Sequence, residues 1–186
     1  MLIVSCGDSY TQGEGLEKQE QAYPYRVATQ LNAKITNLAQ SGASEYLITS
    51  QVEQAVKLKP DLIVIGHTSE YRWQTWDFRN DQWQGFLVAN HVMQNEKYYR
   101  NWILSRLWSG AVSKQIILCT RAGIPVVHHC CFPHLQSELV QLTDDYIDFN
   151  LDIEKIKDPA PDRSHAGFMS HLKLAKFIVN RTKQIL

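Results

Sequence analysis

Apolar residues in this chain fall into short continuous runs separated by stretches of helical spacing. Leu2-Ile3-Val4-Ser5-Cys6 is such a run and ends on Gly7-Asp8-Ser9, the pattern of a strand that delivers a tight turn. Apolar spacing predicts a helix over 22–31, a second strand of modest strength over 34–38, and a helix over 44–58 that closes at Lys59-Pro60. Asp61-Leu62-Ile63-Val64-Ile65-Gly66 follows, a β-branched run bounded by Pro and Gly, as suits a parallel strand covered on both faces. A long helix is predicted over 98–122, stopping at Gly123, with a fourth strand over 124–129. A weaker fifth strand over 146–149 and a last helix from about 167 complete the pattern. Strands alternating with helices predict an α/β sandwich with a mainly parallel sheet.

Such sheets place their sites at the carboxyl ends of the strands. Here those ends are the turn holding Ser9, the loop holding Gly42, and the segment Gly66 to Ser69, so three chemically suggestive stretches are expected on one edge. The pattern breaks over 71–108, which contains all five tryptophans and is read as an aromatic-rich helical insertion. Two readings apply to it. Tyr71, Trp73 and Trp76 form a substrate platform beside the third strand, or the aromatics pack the insertion onto the sheet, as is expected of Trp102 and Trp108 on the long helix.

Length and charge narrow the function classes. With 186 residues the chain is read as one domain, 1–186, with no internal repeat. Lys+Arg and Asp+Glu are each 19, so no net field steers the protein toward a phosphate backbone, and nucleic acid is not expected as a partner. No apolar stretch approaches the roughly 18 to 20 residues of a membrane span, and no basic, cleavable leader precedes Leu2, so a cytoplasmic location without membrane attachment is expected. Four cysteines stand at 6, 119, 130 and 131; the adjacent pair is poorly placed to bridge, in keeping with a reducing compartment. His128, His129, Cys130, Cys131 and His134 are crowded, yet 125–130 reads as a buried strand and no metal-ligand spacing appears, so neither metal nor cofactor is expected.

The candidate chemistry lies in three short motifs. Gly7-Asp8-Ser9-Tyr10-Thr11-Gln12-Gly13 places a serine on a sharp turn, with Asp8 and Thr11 able to hydrogen-bond within it. Asn37 to Ser44 carries Gly42, where a glycine lets an acyl group approach a backbone N–H. Asp162-Arg163-Ser164-His165 supplies the base and carboxylate without which a serine is unreactive at neutral pH. His171 competes with His165 but falls inside the last helix. Together these motifs resemble blocks I, II and V of the SGNH, or GDSL-type, serine esterases. The resemblance runs from Ser5 to Ala175. It implies a three-layer α/β/α sandwich around a flavodoxin-like five-stranded sheet. It also implies a triad of Ser9, His165 and Asp162, an oxyanion hole including Gly42, and a short-chain or carbohydrate O-acyl ester as substrate.

The resemblance breaks at block III, where the family has Gly-x-Asn-Asp and this chain has Gly66-His67-Thr68-Ser69. Thr68 stands at the asparagine that donates to the oxyanion. Thr68, His67 or Ser69 is expected to fill the gap; Gly66 to Arg72 resembles a variant found in tailed-bacteriophage proteins of this type. A missing donor typically lowers turnover roughly 100- to 1000-fold, which keeps a rival reading open: a weakly active or inactive binding or virion-associated module on the same fold.

Overall fold

The computed structural model describes residues 1–70, 72–77, 82–87, 97–130, 139, 141–144, 146–147 and 158–186, with 73–77, 82–87 and 97–103 described by their backbone. The central strand is β1 (Leu2–Cys6). Its turn enters α1 (Ser9–Gln12), and a 3-10 turn over Gln19–Gln21 leads to α2 (Tyr23–Gln30). Then come β2 (Lys34–Asn37), α3 (Glu45–Lys57) and β3 (Leu62–His67). A hairpin of β4 (Arg72–Asp77) and β5 (Gln82–Leu87) precedes α4 (Lys97–Ala122), β6 (Val126–Cys130), β7 (Tyr146–Ile147) and α5 (Phe168–Ile185). The main sheet has the order β2-β1-β3-β6-β7 and every pairing in it is parallel. This is the expected α/β/α sandwich with a flavodoxin-like five-stranded sheet.

Period-two alternation explains why both faces are covered. Ile3, Leu62, Val64 and Val127 point to one side, where Tyr23 and Val27 of α2 and Leu174, Ala175 and Ile178 of α5 pack on them. Val4, Cys6, Ile63 and Ile65 point to the other, against Ile48, Val52 and Ala55 of α3 and Cys119 of α4. All six residues of β3 are therefore buried, as its unbroken apolar run demands. Caps set the helix limits: the Ser44 hydroxyl accepts from Leu47 N at 3.4 Å, and Gly123 takes φ +65° where α4 stops. Among the described residues no helix is long and apolar enough to cross a membrane.

The insertion differs from the helical expectation over its first part. Residues 72–77 and 82–87 form an antiparallel pair in which Trp73 lies opposite Phe86 and Trp76 opposite Trp83. Trp73, Thr75 and Trp76, with Trp83 and Phe86 on the second strand, are aromatic and β-branched residues that favour extended backbone over helix, and the helix begins only at Lys97. Tyr71 and the side chains of Trp73, Trp76 and Trp102 lie outside the described residues, so the platform expectation does too. Trp108 is core, 2% exposed, as expected.

Candidate active site

The Ser9 turn is built by crowding. A Cβ on Gly7 would sit 2.1 Å from Thr11 Oγ1, and one on Gly66 2.4 Å from the same atom, so only glycine lets β1, β3 and α1 close together there. Gln51 of α3 grips the Gly7 peptide from both sides, accepting from its N–H at 2.7 Å and donating to its carbonyl at 3.2 Å. Asp8 caps α1, accepting from Tyr10 N at 3.1 Å. Ser9 is thus the first residue of a helical turn, 4% exposed, and among the described residues nothing accepts from its N–H.

The expected base is paired with its carboxylate. His165 Nδ1 is 2.6 Å from Asp162 Oδ2, and Asp162 Oδ1 accepts from the N–H groups of Ser164 and His165 at 3.0 and 3.1 Å. The hydrogen bond from His165, then that from Ser164, holds the Asp162 carboxyl below its ordinary value. An ionised Asp162 accepts a hydrogen bond from Nδ1–H and so keeps the proton on that nitrogen, which leaves the lone pair on Nε2, the nitrogen a general base needs. Gly15 is pressed on the same carboxylate, because a Cβ there would lie 2.6 Å from Oδ2, and Gly13 N and Glu14 N both donate to Ser9 O, at 2.9 and 3.0 Å. Residues 13–15 therefore join the serine turn to the Asp162-His165 pair. Among the described residues Ser9 Oγ makes no hydrogen bond to His165; Nε2 instead faces Glu14 Oε2 at 3.6 Å. His171, the competitor, is fully buried in α5, where its Nδ1 accepts from Tyr23 N at 3.2 Å and burial lowers it to about 4, so it is a framework group.

Gly42 has φ +72°, a left-handed conformation that favours glycine; a Cβ there would meet nothing within 4 Å, so its backbone faces open space. No described residue accepts from its N–H.

The three block III expectations fare differently. The Thr68 hydroxyl donates to Asp8 Oδ2 at 2.9 Å, its N–H donates to Glu45 Oε2 at 3.1 Å, and its carbonyl accepts from Trp108 Nε1 at 2.9 Å. Every polar atom of Thr68 is committed, and the residue is fully buried. His67 does not fill the gap either: its Nδ1 lies 2.8 Å from Glu45 Oε1 and its Nε2 2.9 Å from His128 Nδ1, inside the α3–α4 face of the sheet. Ser69 Oγ donates to the Glu70 carboxylate at 3.3 Å.

Four groups support the site from a distance, and of these only Arg72 is suggested by the sequence, as a residue able to pair with a nearby anionic group. Arg72 Nη1 lies 3.3 Å from Asp8 Oδ2, so Arg72 answers the acid of the serine turn. Burial raises Asp8, and Arg72 and Thr68 pull it back down. Glu45 anchors Thr68 and His67, Gln51 holds Gly7, and Glu14 borders His165. All four are tertiary contacts, 22 to 64 residues apart in sequence except for Glu14, whose partner His165 is farther still, and no local motif marks them.

The class these features define is an α/β/α sandwich carrying a serine turn after β1 and an Asp-x-x-His pair before the last helix. Solved structures identify the fold as that of the SGNH, or GDSL-type, hydrolases. TesA superposes over all of both chains with TM-score 0.70 at 13% identity. The acetyl xylan esterase Est2A of the rumen bacterium Butyrivibrio proteoclasticus matches 99% of this chain and 64% of its own, with TM-score 0.66 and 12% identity. The acetyl xylan esterase AlAXEase matches over the full length of both, with TM-score 0.64 and 15% identity. This chain thus spans under two thirds of Est2A and the whole length of the other two. No family model and no curated protein matches the sequence.

Proposed function

We propose that this protein is a serine esterase that cleaves short-acyl or O-acetyl esters, including those on carbohydrates, through an acyl-enzyme on Ser9. The observation that carries the reading is the 2.6 Å His165–Asp162 contact on a loop packed against the segment that leaves Ser9. In acylation, Ser9 Oγ bonds to the ester carbon as its proton passes to His165 Nε2. Collapse breaks the carbon–alkoxide bond, and the imidazolium returns that proton to the departing alcohol. In deacylation water gives its proton to Nε2, attacks the acyl carbon, and Ser9 leaves with the proton restored. The Ser9 and Gly42 N–H groups receive the oxyanion. Catalytic hydrogen bonds are often long before substrate binds, so the unmade Ser9–His165 bond is compatible with this role.

A second reading has one observation behind it. With the Thr68 hydroxyl held by Asp8, the oxyanion has two donors where the family uses three, which favours slow turnover or a binding module. One experiment separates the readings. Incubation with a fluorophosphonate followed by mass spectrometry is expected to place the adduct on Ser9, and Ser9→Ala and His165→Ala to lose both adduct and hydrolysis on an acetate-ester panel. Labelling that survives Ser9→Ala overturns the assignment; saccharide binding without turnover on any ester establishes the binding module.

A further inference from the structure

Glu14 occupies a place that the esterase mechanism leaves unassigned. Its Oε2 lies 3.6 Å from His165 Nε2 and accepts from Ser41 Oγ, while Ser41 N donates to Gln12 Oε1 at 2.8 Å. One side chain therefore spans from the base to the residue next to Gly42. Its backbone is pinned as well, since Glu14 N donates to Ser9 O at 3.0 Å and the following Gly15 abuts Asp162. The side chain is nonetheless 43% exposed, and among the described residues Oε1 has no partner.

We propose that Glu14 is the specificity-determining residue for the leaving alcohol: its carboxylate accepts a hydroxyl carried next to the ester oxygen and turns away alcohols that bear a negative charge. The inference rests on the Ser9–His165 reading. In that reading Nε2 protonates the departing alkoxide, so the alcohol oxygen must come within hydrogen-bond distance, about 3 Å, of Nε2. Glu14 Oε2 stands 3.6 Å from that same nitrogen. The leaving oxygen and the carboxylate are thus neighbours across one atom, within reach of a hydroxyl on the adjacent carbon.

The charge balance points the same way. Arg72 is engaged with Asp8 at 3.3 Å, so its charge is compensated inside the turn. Among the described residues the carboxylates paired with His165 are Asp162, turned to Nδ1, and Glu14, turned to Nε2 with its Oε1 without a partner. A neutral polyol satisfies that oxygen, whereas a phosphate or carboxylate on the alcohol meets like charge. The preferred substrate class is accordingly an acyl ester of an uncharged polyhydroxylated alcohol with a free hydroxyl vicinal to the ester.

The test compares kcat/KM on three acetates with the same acyl group, using the full chain and its E14A and E14Q variants: glycerol monoacetate, ethyl acetate, and the acetate of glycerol phosphate. E14A is expected to lower the ratio of glycerol monoacetate to ethyl acetate about tenfold, the low end of a hydrogen bond to a charged group. E14Q, which keeps a carbonyl acceptor without the charge, is expected to hold an intermediate ratio and to raise the rate on the phosphate-bearing ester about tenfold relative to ethyl acetate. Should E14A not fold, the near-isosteric E14Q carries the test through the phosphate arm. Unchanged ratios in the variants, with active wild type, overturn the role of Glu14 and leave the esterase reading standing. Wild-type protein that hydrolyses none of the three and takes no fluorophosphonate on Ser9 overturns both.

Discussion

Thr68 shows how far one residue's role depends on what its neighbours already claim. By sequence it stands where a side-chain oxyanion donor belongs, yet its hydroxyl proton goes to Asp8 Oδ2 and its main chain is held by Glu45 and Trp108. Thr68→Val is therefore expected to act on the serine turn through Asp8. It leaves a buried carboxylate one donor short, at a cost of about 1–3 kcal/mol, read as a lowered urea midpoint, with turnover falling by less than tenfold. Thr68→Ser, which keeps the donor, recovers most of that loss. A drop of 100-fold or more in kcat with an unchanged midpoint is instead the signature of a lost oxyanion donor and contradicts the geometry. Gly42 gives the complementary case. Gly42→Ala meets no atom within 4 Å but must hold φ +72°, so it is expected to cost about 1–2 kcal/mol and, on the proposed mechanism, to place a methyl group in the path of the acyl group, lowering kcat/KM more than stability. The proposed catalytic residues were legible as candidates, because Ser9 and the Asp162-His165 pair lie in short motifs whose geometry is local. Their supports were not: Asp8 meets Thr68 and Arg72, and Gly7 meets Gln51, only after β1, α3 and β3 have come together, and single-sequence patterns are blind to such pairs.

At the scale of elements, strands buried on both faces and helices with strong caps announced themselves. β1 is Leu2–Cys6 as expected, α3 and α4 end within one residue of their expected limits, and Gly123 stops α4. The insertion carries no period-two pattern that marks a strand, since its aromatics stand three apart at Trp73 and Trp76 and at Trp83 and Phe86; Arg72 to Asp77 and Gln82 to Leu87 nonetheless pair as a ribbon, with four residues between them. α4 also does more than cover the sheet. Trp108 packs with Val112, Cys130 and Leu139 and donates to Thr68 O, so this helix is coupled to the loop beside Ser9. Trp108→Phe, which keeps most of the apolar volume and drops the donor, is expected to cost about 1 kcal/mol, and Trp108→Ala roughly 3–5 kcal/mol, by denaturant unfolding. If both variants lose equal stability, the indole N–H dominates and the packing argument is wrong.

The molecule as a whole encloses polar networks on both faces of its sheet, and these make its stability depend on pH. On one face His128 contacts His67 and through it Glu45; on the other His129 Nε2 lies 2.8 Å from Tyr23 OH, whose proton goes to Thr11 Oγ1 at 3.0 Å, and His171 accepts from Tyr23 N. Burial is the main cause that lowers all three: His129 to about 3, His171 to about 4, and His128 well below its ordinary 6.5. The sign follows from which state binds protons. Above 6.5 these histidines are neutral folded and unfolded, and contribute no pH dependence. Below 6.5 the unfolded chain takes up protons that the native interior refuses, so stability falls as pH falls, until the folded values near 4 and 3 are passed. Each histidine contributes about 1.4 kcal/mol per pH unit once its unfolded form is fully protonated, about 4 kcal/mol per unit for the three. Asp162, held low, adds loss in the same direction below its ordinary 3.8, while Asp8, raised by burial, acts in the opposite direction. Domains of this size have about 5–15 kcal/mol to lose, so urea titrations are expected to show near-constant stability from pH 8 to 7 and steep loss below 6, with unfolding near pH 4 to 5. His171→Gln, which removes one of the three groups, is expected to reduce the acid slope by about a third. Stability at pH 5 equal to that at pH 7.5 requires the buried histidines to be charged and paired in the native state, and overturns this account.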